Sequence, residues 1–71
     1  MNRTPVKSSF IDSIGYEGDT LEVAYKDGKV YRYAGVPPDL HQSVMGAESI
    51  GKALKEQVVN GGFETERVEP E

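Results

Sequence analysis

Seventy-one residues and 7.8 kDa hold one small domain, and a chain this short leaves little room for a catalytic cleft. The absence of cysteine rules out disulfides, thiolate metal ligands and thiol redox chemistry, and the lone histidine, His41, offers little for zinc or imidazole catalysis. Eight basic against twelve acidic side chains give a net charge of −4, which argues against indiscriminate binding to nucleic acid or anionic membranes.

Residues 1–5 are expected to be a flexible N-terminus. They carry no apolar h-region, and nowhere is there an apolar run long enough to span a membrane, so a cytoplasmic protein is expected. Residues 10–16 are rich in strand formers and end at the Glu17-Gly18-Asp19 turn. Residues 20–25 alternate, with Leu21, Val23 and Tyr25 on one face.

The next connection holds Asp27-Gly28, a hairpin signal for which two loop lengths compete. A two-residue loop places Arg32 in the apolar face. A three-residue Lys26-Asp27-Gly28 loop, with Gly28 left-handed, pairs Leu21 with Tyr33 and Val23 with Tyr31. It also sets Glu22 against Arg32 and Ala24 against Val30 on the outer face. The second register gives a uniform apolar face and an opposite-charge pair, and is the one predicted.

Val36 and Pro37 each precede a proline and are biased away from helix. Pro38 suits a first helical position, which predicts a helix over 38–45 stopped at Gly46. Ser49 is the expected N-cap of a second helix, with Ile50, Ala53, Leu54 and Val58 at helical spacing. Gly51 lies inside that helix, either to allow close packing on the sheet or as a misplaced cap. Asn60-Gly61-Gly62 ends it.

Residues 1–63 carry seven basic and eight acidic side chains, whereas residues 64–71 carry one and four. That segment holds a single aliphatic residue, Val68, so residues 60–71 are expected to form a disordered acidic tail. The foldable part is a single domain over 6–59. Its class is α+β: a three-stranded antiparallel sheet followed by two short helices packed on one face.

No constellation for catalysis appears. Ser8-Ser9 with Asp12 has no base placed to activate a hydroxyl, and the glycines form neither a phosphate loop nor a dinucleotide fingerprint. No cofactor and no metal site is expected, and the chain is not expected to be an enzyme. Tyr31-Arg32-Tyr33 invites two explanations: a platform on which Tyr31 and Tyr33 stack RNA bases, or core packing beneath the helices. The basic N-terminal segment suggests a protein-binding surface made of Arg3, Val6, Lys7, Phe10 and Ile11, extended by Arg32, along a first strand that lies at the sheet edge.

Taken in order, Ser8-Ser9, Ile14-Gly15-Tyr16, Leu21-Glu22-Val23, Asp27-Gly28, Tyr31-Arg32-Tyr33, Val36-Pro37 and Ser49-x-Gly51 resemble the KTSC domain. That family occurs at the carboxyl end of some lysyl-tRNA synthetases and as small stand-alone bacterial and phage proteins. The resemblance covers about residues 7–58 and implies RNA binding of a translation-associated kind, with the aromatic-x-aromatic motif on Tyr31 and Tyr33. This chain departs from the family in its acidity and in carrying Ala53-Leu54 where members often have an aromatic pair. In size and character it is also similar to a phage-encoded regulator of host RNA polymerase. That likeness implies a non-catalytic module, monomeric when free, that binds bacterial RNA polymerase in the host cytoplasm. It would inhibit initiation and suppress termination. RNA binding is the alternative expectation.

Overall fold

A computed structural model describes residues 3–68. Along the chain it runs β1 (Arg3–Pro5), β2 (Ile11–Glu17), β3 (Thr20–Tyr25), β4 (Val30–Ala34), α1 (Pro38–Met45), α2 (Ile50–Gln57), a 3-10 turn (Val59–Gly61) and β5 (Glu64–Val68). The strands make one antiparallel sheet in the order β1-β2-β3-β4-β5. Both helices pack on one face, where Val44, Ala53, Leu54 and Val58 meet Ile11, Ile14, Leu21, Val23 and Tyr33.

The α+β class holds, but the sheet has five strands rather than three. Residues 3–5, expected to be flexible, and residues 64–68, expected to be disordered, are its two edges. The expected edge, β2, is covered by β1. An edge strand is held by backbone hydrogen bonds along one side and needs little apolar surface, so its composition looks like that of a solvated tail. Two side chains fasten the last strand: Phe63 packs against the core, and Val68 lies opposite Val30. The domain therefore extends beyond residue 59, to at least 68. Residues 1, 2 and 69–71 lie outside the described residues.

The β3–β4 hairpin has the three-residue loop. Leu21 faces Tyr33, Glu22 faces Arg32, Val23 faces Tyr31 and Ala24 faces Val30, and Gly28 takes the left-handed φ of 95° that the turn requires. A different device sets the face of β2. Ile11 and Ile14 are an odd number apart, so a regular strand would send them to opposite faces. A bulge between Ile11 and Ser13 restores the alternation and buries both.

The uncovered face carries one row of charge across the sheet. Arg3 lies opposite Gly15, Gly15 opposite Glu22, Glu22 opposite Arg32, and Arg32 opposite Glu66. Glu22 accepts a hydrogen bond from Arg32 Nε at 2.8 Å, and its other oxygen lies 3.7 Å from Arg3 Nε. Gly15 has no side chain, which lets Arg3 reach past β2 to β3. Glu22 is on the outer face, as expected, yet only 7% of its side chain is exposed because the two arginines lie over it.

Both helices begin as predicted and α1 stops at Gly46, but α2 ends at Gln57, so Asn60-Gly61-Gly62 closes the 3-10 turn rather than the helix itself. Ser49 Oγ accepts the Lys52 N–H, and Pro38 opens α1 where no donor is needed. His41 stacks on Tyr16 at 4.3 Å, while the Tyr16 hydroxyl donates to the Val36 carbonyl at 2.6 Å, tying the start of α1 to β2.

Candidate binding surface

One end of the sheet is built by the loop from Val6 to Phe10 and by the β3–β4 turn. Ser8 Oγ accepts the N–H groups of both Phe10 and Ile11 at 3.3 Å, folding the chain back just before β2. The Phe10 carbonyl accepts the Lys26 N–H at 2.9 Å, so this backbone is held from two sides. The ring stacks on Tyr25, with centroids 6.4 Å apart and planes within 9°. On its other flank it lies against Gly51 of α2. A β-carbon there would stand 2.7 Å from Phe10 Cε1 and Cζ and 2.8 Å from Ser8 Oγ. The close-packing explanation of Gly51 is the one the geometry supports.

Seated this way, Phe10 remains 42% exposed. A groove of about 500 Å³ runs beside it, lined by Ser9, Phe10, Tyr25, Lys26 and Asp27. Tyr25 continues the aromatic row: it makes a T-shaped contact with Tyr31, centroids 5.7 Å apart, and its hydroxyl shares a 2.9 Å hydrogen bond with that of Tyr33. Burial, together with the bond to Tyr33, pushes the Tyr25 phenol pKa well above its ordinary value.

The side chains singled out in the sequence fall on three different surfaces. Lys7 and Phe10 share the groove end of the sheet, both exposed. Val6 is half-buried and packs against the core. Ile11 is fully buried, so it cannot contact a partner: the β2 bulge turns it inward. Arg3 and Arg32 lie on the uncovered sheet face, bound to Glu22 rather than free to steer a ligand.

Of the two proposed stacking rings, Tyr33 is buried at 4% exposure with its hydroxyl consumed by Tyr25, and only Tyr31 reaches the surface in part. The pair therefore offers no two-ring platform. Sequence reasoning missed Tyr25 and Lys26. The chosen hairpin register could have found them, because it brings the β3–β4 turn to the sheet end where the loop before β2 arrives.

No group of three His, Asp or Glu side chains among the described residues is placed to hold a metal ion. No helix among them is long and apolar enough to cross a membrane.

The fold and this groove define a small two-layer α+β domain with an exposed aromatic seat. Residues 7–63 match the KTSC domain, so the chain belongs to the KTSC domain family. It is 41% identical over 54 residues to an uncharacterized protein of Stutzerimonas stutzeri strain A1501, covering 73% of this chain and 76% of that one. The crystal structure of a KTSC domain protein from Yersinia pestis superposes with a TM-score of 0.83. That protein is 39% identical, and the match covers 96% of this chain and 97% of the other.

Proposed function

We propose that this chain is a non-catalytic binding module that docks on a protein, with bacterial RNA polymerase as the partner, and that it inhibits initiation and suppresses termination. The observation that carries the docking role is Phe10, a large ring held in a fixed position and left 42% exposed, since an anchor of this kind gains most from being covered by a partner. The polymerase as partner rests on the resemblance in size and character to a phage regulator.

The test is biolayer interferometry of the full chain on immobilised core polymerase, paired with transcription from a promoter and across a terminator. Expected are saturable binding, fewer initiated transcripts and more readthrough. No binding and no change in either transcript would overturn the polymerase as partner. Tight binding to oligouridine RNA, falling steeply with salt, would favour the RNA alternative instead.

A further inference from the structure

We propose that the groove beside Phe10 takes an acidic protein segment carrying one apolar side chain. The apolar group would cover Phe10, and its flanking carboxylates would bind Lys7 and Lys26. This proposal rests on the docking role above and names the chemistry of the docked segment.

Charge is segregated between the two ends of the sheet. The end opposite the groove consists of the β2–β3 turn, the β4–α1 connection and the start of β5, drawn together in part by the Val36 N–H to the Asp19 carbonyl. Glu17, Asp19 and Glu64 lie there, with Asp39 in the first turn of α1, and the connecting segments hold no lysine or arginine. The groove end holds Lys7, Lys26 and Lys29, and its described acids are Asp12 at the start of β2 and Asp27 in the β3–β4 turn. Asp27 is already engaged, since its carboxylate accepts the Lys29 N–H at 3.0 Å and lies 3.9 Å from Lys29 Nζ. Among the described residues, Lys7 and Lys26 have no carboxylate within 4.0 Å. Lys26 therefore lines the groove beside the exposed ring and Lys7 stands in the loop that leads into Phe10, neither of them paired with a described carboxylate, on a molecule whose far end is acidic. An acidic segment is drawn to this end and turned away from the other.

The occupant is a protein segment and not a nucleic acid. Two lysines neutralise only about two phosphates, too few to hold a polyanion against a net charge of −4. Other surfaces carry less. On the uncovered face Arg3 and Arg32 are engaged with their shared partner Glu22, and Glu66 lies opposite Arg32. The free edge of β5 does not suit a second copy, because antiparallel self-pairing centred on Glu66 sets that carboxylate against itself.

The experiment uses the full chain, labelled with ¹⁵N, and a synthetic decapeptide with a central leucine flanked by aspartates. The same peptide with asparagine for aspartate, the same with glycine for leucine, and oligouridine RNA serve as comparisons. Expected are amide shift changes at Ser9, Phe10, Tyr25 and Lys26, with at least tenfold weaker binding of both altered peptides. Lys7→Glu with Lys26→Glu should also weaken binding at least tenfold while the amide spectrum stays dispersed, since both side chains are exposed. Equal binding of the asparagine peptide, shift changes confined to other surfaces, or tighter binding of the RNA in this groove would overturn the proposal. Measuring polymerase binding with the same lysine variant separates the two ideas. Unimpaired polymerase binding by that variant overturns the groove and leaves the docking role standing. Peptide binding without polymerase binding supports the groove and removes the polymerase.

Discussion

Gly51→Ala sets two opposing effects against each other, and their sizes decide the sign. In an open helix, alanine is favoured over glycine by about 1 kcal/mol. Here the new β-carbon would stand 2.7 Å from two carbons of the Phe10 ring and 2.8 Å from Ser8 Oγ. Carbon atoms pack at about 3.5 Å or more, so the ring has to retreat by roughly 0.8 Å. It has solvent on one side and can yield. Ser8 Oγ cannot yield as cheaply, because it accepts two N–H groups that shape the entry to β2. Overpacking of this kind costs about 1–3 kcal/mol, which outweighs the helical gain and leaves a net loss of about 1 kcal/mol. In a domain of this size that lowers Tm by about 4–8 °C.

Circular dichroism melts and urea titrations of Gly51→Ala, Phe10→Ala and the double variant provide the assay. The alanine should cost less in the Phe10→Ala background, with a coupling of at least about 0.5 kcal/mol. A Gly51→Ala protein more stable than wild type would refute the close-packing argument. Because the substitution moves Phe10, it should also weaken peptide binding to the groove.

Three further outcomes follow from the fold. Deleting residues 64–71 removes β5 and should lower Tm by more than about 5 °C, where the sequence alone led to no expected change; an unaltered melt would show that β5 adds nothing to the sheet. Glu22→Ala leaves Arg3 and Arg32 without their common carboxylate. Both arginines are part-exposed and can rehydrate, so the loss should be about 1–2 kcal/mol by urea titration, and a loss below about 0.3 kcal/mol would sink the charge-row argument. For Tyr25 the sign follows from the raised phenol pKa: folding favours the protonated form, so this contribution is complete below the ordinary tyrosine pKa near 10 and is lost as pH rises beyond it. Tyr25→Phe should therefore flatten the fall of stability above about pH 10, and parallel curves for variant and wild type would contradict that.

The sequence by itself determined the centre of this domain. Leu21, Val23, Tyr31 and Tyr33 could share a face in only one hairpin register, because a one-residue slip would have placed Arg32 among them. Pro38, Gly46 and Ser49 mark helix ends through local backbone chemistry, which acts the same way in any fold. The edges were decided by tertiary structure. Residues 3–5 and 64–68 are polar and short, and what makes them strands is the hydrogen-bonding side of β2 and β4, which no local pattern records. The same holds for the site. Phe10 and Ile11 look alike in the sequence, yet a bulge buries one and leaves the other exposed. The Glu22–Arg32 pair is legible in the hairpin register, but Arg3 looks like a free charge until β1 pairs with β2 and Gly15 lets it reach Glu22. Lys7 and Lys26 come to the same end of the sheet only because two separate connections meet there, a proximity that depends on long-range strand pairing.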